Sequence, residues 1–125
     1  MRQHRVSIGL TVVLASWCLL AFSCANFTRD AYRTLTLGQQ SYDATLSAMG
    51  DLYREGKVTE TQKDKAIELG RAYKLAHNGA VEALTVYEEQ GGSDNKDAYL
   101  KAAEAASKAL ANLLAYCRGI LEGGS

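Results

Sequence analysis

The stretch GKVTETQKDKAIELGRAYKLAHNGAVEALTVYEEQGGSD, residues Gly56–Asp94, decides the fold because it holds one whole helix and both of its boundaries. Thr59 is a predicted N-cap, and Gln62 lies three residues later as its partner in a capping box. The glycines at 91–92 end the helix, since glycine accepts the left-handed backbone conformation that follows a helix C-terminus. We therefore predict a helix over residues 60–90.

A further helix is predicted on each side of this one. The preceding helix covers residues 29–55, and the following helix covers residues 95–122 after a cap at Ser93 or Asp94. The last residues, 123–125, form a flexible tail. Proline is absent from the whole chain, which favours long uninterrupted helices. At a rise of about 1.5 Å per residue, each helix is roughly 40 Å long.

Each predicted helix carries one apolar face, because its apolar residues recur at the helical period of about 3.6 residues. The face of the first helix is Ala31, Leu35, Gly38, Tyr42, Leu46, Met49 and Tyr53, that of the second is Ala66, Leu69, Tyr73, Ala76, Ala80, Leu84 and Tyr87, and that of the third is Tyr99, Ala102, Ala106, Leu110, Leu113, Cys117 and Ile120. Short connections force consecutive helices to be antiparallel. The sequence therefore predicts an all-α, up-down-up three-helix bundle over residues 29–122.

The N-terminal segment has the layout of an export signal. Arg2 and Arg5 precede an uncharged apolar run, residues 6–22, which leads to a small residue and a cysteine. The motif Ala21-Phe22-Ser23-Cys24 resembles the cleavage motif of a bacterial lipoprotein signal peptide. The resemblance implies that residues 1–23 are removed and that Cys24 becomes an acylated, palmitate-bearing N-terminus.

The lipid would hold the protein at the membrane through a short tether, residues 24–28. An aspartate after the cysteine would resemble the inner-membrane retention signal of enteric lipoproteins; alanine stands there, so the resemblance favours the outer membrane, on its periplasmic side. Two alternatives stay open. Cleavage after the small-x-small triplet at residues 21–23 would release a soluble periplasmic domain, and an uncut segment would form an N-terminal anchor helix in the inner membrane. All three forms are exported, because the side with Arg2 and Arg5 stays in the cytoplasm.

Composition limits the partners of the exported part. Removing Arg2 and Arg5 from the fourteen basic residues leaves twelve against fourteen acidic ones, a net charge of about −2. This balance argues against a nucleic-acid partner, which usually requires a clustered basic face. About a hundred residues suffice for one domain. Cys117 is the only cysteine after Cys24, so we predict a buried, inert thiol and no internal disulfide.

Motifs for catalysis, metals and cofactors are missing from the sequence. His77 is the only histidine after the signal segment, and neither a Glu-x-x-His nor a Cys-x-x-Cys pattern accompanies it. No serine lies in a G-x-S-x-G motif, and no G-x-x-x-x-G-K-[ST] phosphate-binding loop is present. We therefore expect no catalytic residue, no metal site and no cofactor.

A polar cluster is predicted inside the bundle. Pairing the helix ends places Tyr42 level with Tyr73 and His77, so the imidazole has a tyrosine hydroxyl within reach. Gly38 and Gly70 lie on or beside the inner faces, which points to close backbone approach or to neutral drift. If a cavity opens beside the cluster, the bundle binds a small ligand there and acts as a sensor or carrier.

Three apolar residues lie on the outer sides of their helices: Leu37, Leu75 and Val86. Gathered into one patch, they would mark a docking surface. The expected function is therefore a non-catalytic envelope lipoprotein that contacts a protein partner. In size and layout it is similar to small helical lipoproteins of bacteria and prophages, some of which exclude superinfecting phage or inhibit a periplasmic protein.

Overall fold

The computed structural model contains three helices: α1 (Arg2–Arg54), α2 (Glu60–Gln90) and α3 (Ser93–Gly123). It describes the backbone of residues 2–123 and the side chains of residues 26–123. Over those residues the secondary structure is helical apart from the two connecting segments, and it contains no strand. The predicted all-α class and the up-down-up order of the three helices are confirmed.

Two compact units divide the chain, Met1–Ala31 and Tyr32–Ser125. Helix α1 begins at Arg2 and not at residue 29, and the tether predicted at residues 24–28 is helical, because no proline interrupts the chain before Arg54. The signal peptide predicted at 1–23, with its cleavage motif, and the side chain of Cys24 lie outside the described side chains.

The start of α2 follows the predicted capping box. The Thr59 side chain accepts a hydrogen bond from the backbone N–H of Gln62 at 3.1 Å, and the Gln62 side chain accepts one from the Thr59 N–H at 3.0 Å. Two N–H groups that the helix itself leaves unpaired are thereby satisfied. The capping box predicted from Thr59 and Gln62 is confirmed.

The turn between α1 and α2 is closed by a glycine in the left-handed region. Gly56 has a φ of +77°, and its N–H donates to the Tyr53 carbonyl at 3.0 Å. The next N–H, that of Lys57, donates to the Leu52 carbonyl at 2.9 Å. These two bonds form a Schellman motif, which reverses the chain immediately after the helix.

Two consecutive glycines make the turn between α2 and α3. Gly91 and Gly92 have φ values of +64° and +89°, which residues with a Cβ rarely adopt. The Asn95 side chain donates to the Gly91 carbonyl at 2.7 Å and fixes this turn. Helix α3 begins immediately after Gly92, whose carbonyl accepts the first helical bond at 3.1 Å. Gly92 therefore takes the cap position, and the cap predicted at residues 93–94 is wrong.

The core of the second unit is built from the inner faces of the three helices. Its buried apolar residues are Leu35, Met49, Val58, Ala66, Tyr73, Ala80, Leu84, Tyr99, Ala106, Leu113 and Cys117. All of them except Val58, in the turn, belong to the predicted faces. Leu84 and Leu113 are fully buried, and truncating either to alanine should cost about 2–5 kcal/mol. This core holds the three helices in the register that forms the site below.

Candidate functional site

The structure brings the predicted polar cluster together. The ring centroids of Tyr42 and Tyr73 are 5.1 Å apart, and those of Tyr73 and His77 are 5.5 Å apart. The Tyr73 hydroxyl and the Nδ1 atom of His77 are joined by a hydrogen bond of 3.1 Å. Tyr73 and His77 are one helical turn apart on α2, and Tyr42 reaches them from α1. The three rings thus form one contiguous group, as the sequence predicted.

Burial sets the protonation of this group. Desolvation lowers the pKa of His77, and the nearby positive charge of Lys74 lowers it further. Desolvation also raises the pKa of Tyr73, with smaller contributions from Asp43 and Tyr42. Both shifts favour the uncharged forms. At neutral pH the pair is therefore a neutral imidazole bonded to a neutral phenol.

Two glycines make room for the rings. A Cβ atom on Gly38 would lie 2.8 Å from the Tyr73 hydroxyl oxygen, and one on Gly70 would lie 3.2 Å from Cε2 of Tyr42. Cβ atoms do not approach other heavy atoms as closely as the first distance, and the second is tighter than ordinary contact. The close approach that the two inner glycines suggested is confirmed.

A cleft of about 250 Å³ opens beside the hydrogen-bonded pair, between α1 and α3. Its lining residues are Thr34, Leu35, Leu37, Gly38 and Ser41 of α1, Tyr73 and His77 of α2, and Ala103, Ala106, Ser107 and Leu110 of α3. Tyr42 packs against Tyr73 and does not line the cleft. The predicted cluster therefore divides: two of its members line an accessible space and the third does not.

A wider groove of about 940 Å³ lies beside the α1–α2 turn and the C-terminal end of α3. Two polar residues that line it, Thr59 and Gln62, already bond each other in the capping box. These two side chains therefore already serve to cap the start of α2. The smaller cleft, with the Tyr73–His77 pair, is therefore the stronger candidate for a ligand site.

The three apolar residues predicted to be on the outer sides have different environments. Leu75 is 77% exposed on α2, whereas Leu37 is 55% exposed and lines the α1–α3 cleft. Val86 is half-buried. Leu75 and Val86 lie eleven residues apart on one side of α2, but Leu37 belongs to a different surface. The sequence could not separate these surfaces, because helical periodicity gives directions within one helix only.

A polar network at the α1–α2 turn was not foreseen. The Tyr53 hydroxyl donates to Oε2 of Glu60 at 2.6 Å, and Nζ of Lys63 donates to Oε1 of the same carboxylate at 2.8 Å. The ammonium also lies 4.6 Å from the centre of the Tyr53 ring. The i,i+3 spacing of Glu60 and Lys63 could have predicted their ion pair, but Tyr53 joins the network only because the turn brings α1 beside the start of α2. This network lowers the pKa of Glu60 through Lys63 first and Tyr53 second.

The thiol of Cys117, the one cysteine among the described side chains, lies in the core. Cys117 is fully buried, and desolvation raises the pKa of its thiol. Over residues 26–123, three or more histidine, cysteine, aspartate or glutamate side chains do not come together as metal ligands. Within the same residues, no helix is both long enough and apolar enough to cross a membrane.

A function for this chain has to be argued from its own residues. Two features serve this purpose: the α1–α3 cleft and the exposed side of α2 that carries Leu75. No known protein family, curated protein or solved structure matches this chain.

Proposed function

We propose that the protein is a non-catalytic lipoprotein of the bacterial cell envelope that binds another envelope protein. Its acylated Cys24 attaches it to the outer membrane on the periplasmic side. The basic, apolar and small-residue order of residues 1–24 supports this anchor. Likeness in size and layout to small bacterial and prophage lipoproteins supports a role in exclusion or inhibition.

One observation carries the binding role: a row of small and apolar residues, with one charged residue, on the outer side of α2. Leu75 is the most exposed large apolar residue among those described, at 77%. Ala72 and Gly79 are exposed on the same side, the exposed Glu82 is the charged residue of the row, and the half-buried Val86 follows it. Spacings of three, four and seven residues are those of a seam along which a second helix packs. The partner therefore presents an amphipathic helix to α2.

Gly79 supports the same surface. A Cβ atom added there would meet no described atom within 4 Å, unlike one added at the two glycines beside the tyrosines. Glycine in a helix interior costs about 0.5–1 kcal/mol relative to alanine, and at this position the fold offers no compensating contact. A second helix could pack closely against α2 at Gly79, because small residues let two helix backbones approach each other.

The chemistry of the remaining groups favours a non-catalytic role. His77 already bonds Tyr73, and Cys117 has no exposed surface. Acidic side chains on the outer faces pair with lysines, as Glu104 does with Lys108 at 3.3 Å. Such pairs are typical of a solvated helix surface and not of an acid–base couple.

Mass spectrometry of the N-terminus tests the anchor. Protein isolated from the envelope fraction should begin at Cys24 and carry acyl chains, and metabolic labelling with palmitate should be lost in Cys24→Ser. Cys18→Ser is the matched control and should keep the label. An intact Met1, or an unmodified start at Cys24 or Asn26, would reject the lipid anchor.

Site-specific photo-crosslinking tests the binding surface. A photoreactive residue at position 75 should give one discrete adduct in the cells that produce the protein, whereas the same residue at exposed position 47 on α1 should not. Gly79→Gln should remove the adduct without lowering the unfolding midpoint, because its side chain blocks the seam but meets nothing within the domain. Equal adducts from both positions, or an adduct that survives Gly79→Gln, would contradict the proposal.

A further inference from the structure

The α1–α3 cleft, on a different side from the α2 seam, has the features of a small binding site. Its walls are mainly apolar: Leu35 and Leu37 come from α1, and Ala103, Ala106 and Leu110 come from α3. Three hydroxyl side chains also line the cleft: Thr34, Ser41 and Ser107. Among the eleven lining residues, none carries a formal charge at neutral pH. A charged ligand would lose its hydration in the cleft without gaining an oppositely charged partner, so the walls select against carboxylates and ammonium groups.

The volume of the cleft limits the size of what it holds. About 250 Å³ exceeds the roughly 150 Å³ of a protein cavity that admits benzene. It falls below the range of about 300–1,000 Å³ typical of sites for drug-sized ligands. The cleft therefore accommodates one small ring system, either a single aromatic ring with a substituent or two fused rings.

The Tyr73–His77 pair supplies hydrogen bonding inside these walls. A neutral imidazole has one donor and one acceptor nitrogen, and a phenol hydroxyl both donates and accepts. When the two groups bond each other, whichever donates, the pair keeps one further donor and one further acceptor. A ligand hydroxyl or ring N–H can therefore bond to the pair in either protonation pattern.

The geometry around Tyr73 keeps this polar group in place. Tyr73 is only 2% exposed, and its ring packs against Tyr42 at 5.1 Å between centroids. Gly38 leaves room for the hydroxyl, since a Cβ atom there would lie 2.8 Å from the oxygen. The hydrogen-bonding group is thus held rigid at the cleft, which lowers the entropic cost of binding.

From these features we infer that the α1–α3 cleft is a binding site for a small uncharged aromatic molecule that bears one hydroxyl or ring N–H group, a phenol or an indole. The aromatic ring lies between the apolar side chains of α1 and α3. Its polar group bonds to the Tyr73–His77 pair. This site does not depend on the lipid anchor or on the α2 surface, so it can fail while the proposed function stands.

Titration of the full chain with phenol, indole, toluene and benzoate, followed by ¹H–¹⁵N NMR, tests the inference. Phenol and indole should shift amide signals around Gly38, His77 and Ser107 in a saturable way, and benzoate should bind at least tenfold more weakly. His77→Phe should weaken phenol binding about tenfold more than it weakens toluene binding, because only phenol loses a hydrogen bond. The inference would be overturned if amide signals shifted equally over the whole surface, or if their shifts did not saturate up to the solubility limit of phenol.

Variants that fill the cleft provide a second test of the inference. Ser107→Leu places a larger side chain at the cleft and should reduce phenol binding at least tenfold, whereas Ser47→Leu, on an exposed position outside the lining, should leave it unchanged. If the first variant fails to fold, Ser41→Leu blocks the cleft from the α1 side. Unchanged binding in the blocked variants would refute the location. Binding of N-acetyltyrosine amide without binding of phenol would assign the cleft to a protein side chain and end the small-molecule proposal.

Discussion

Gly38→Ala probes the close approach on which the cleft and its polar pair depend. In most helix interiors this change stabilises a protein, because alanine has a higher helix propensity than glycine by about 0.5–1 kcal/mol. Here the new Cβ would lie 2.8 Å from the Tyr73 hydroxyl oxygen. The hydroxyl cannot move aside cheaply, since Tyr73 is 2% exposed and bonds His77 at 3.1 Å.

The expected sign follows from these magnitudes. A Cβ forced against this buried hydroxyl is a case of overpacking, which typically costs about 1–3 kcal/mol and exceeds the gain in propensity. We expect Gly38→Ala to lower the free energy of unfolding by about 1 kcal/mol. Gly79→Ala is the matched control: its Cβ meets nothing within 4 Å, so it should raise the free energy of unfolding by about 0.5–1 kcal/mol.

A double-mutant cycle isolates the clash. Tyr73→Phe alone should cost about 0.5–1.5 kcal/mol, because it removes the hydrogen bond to His77. In that background the nearest remaining neighbours of the new Cβ are Leu110 Cδ2 at 3.8 Å and the ring carbon Cζ at 3.9 Å, both ordinary contacts. Gly38→Ala should then be stabilising, so the coupling between the two changes should be about 1–3 kcal/mol.

The assay is urea unfolding of the full chain, followed by circular dichroism at the helix band, with the slope of each transition compared between variants. An unchanged slope ties a shifted midpoint to stability. The reasoning would be refuted if Gly38→Ala stabilised the protein as much as Gly79→Ala does, or if the effects of Gly38→Ala and Tyr73→Phe were additive.

Three further predictions concern titration, capping and the buried thiol. Burial and Lys74 lower the pKa of His77 in the folded protein, so its contribution to stability is present above the unfolded pKa of about 6.5 and is lost as the pH falls through the folded pKa. Unfolding curves between pH 7.5 and 5.5 should show this loss, and the pH dependence of stability should be weaker in His77→Gln. Thr59→Ala removes the capping box and should cost about 0.5–2 kcal/mol, whereas Thr61→Ala, inside the same exposed turn, should change the unfolding midpoint little; equal effects would contradict the capping role. In a variant whose other two cysteines are serine, Cys117 should react with a thiol reagent only on unfolding, because it is fully buried; rapid reaction of the folded protein would show that the core opens there.

The α2 boundaries and the polar cluster were predicted from the sequence because both depend on spacing along the chain. The capping box needs only the Thr59 and Gln62 side chains three residues apart, and Tyr73 and His77 are one turn apart on α2. The register of Tyr42 followed from the shortness of the turn at Gly56. The cap of α3 was missed, since two positive-φ glycines in succession change which residue starts the helix.

The cleft and the division of the outer leucines could not be predicted in this way. Leu37 and Leu75 have similar outward directions on their own helices, yet one lines a cleft and the other stands on an open face. That difference arises from the position of α3 beside α1, which no spacing within either helix records. The same holds for Tyr53, whose bond to Glu60 crosses the turn.

The sequence by itself determined that three helices pack in this order and which faces they bury, because hydrogen bonding and side-chain direction in a helix repeat over a few residues. It also carries the export-signal pattern, which is linear by nature. Only the tertiary structure decided that Gly38 and Gly70 lie in close contact with tyrosine side chains and that the helices enclose the α1–α3 cleft. Those features depend on distances of a few ångströms between segments far apart in the chain, which packing alone fixes.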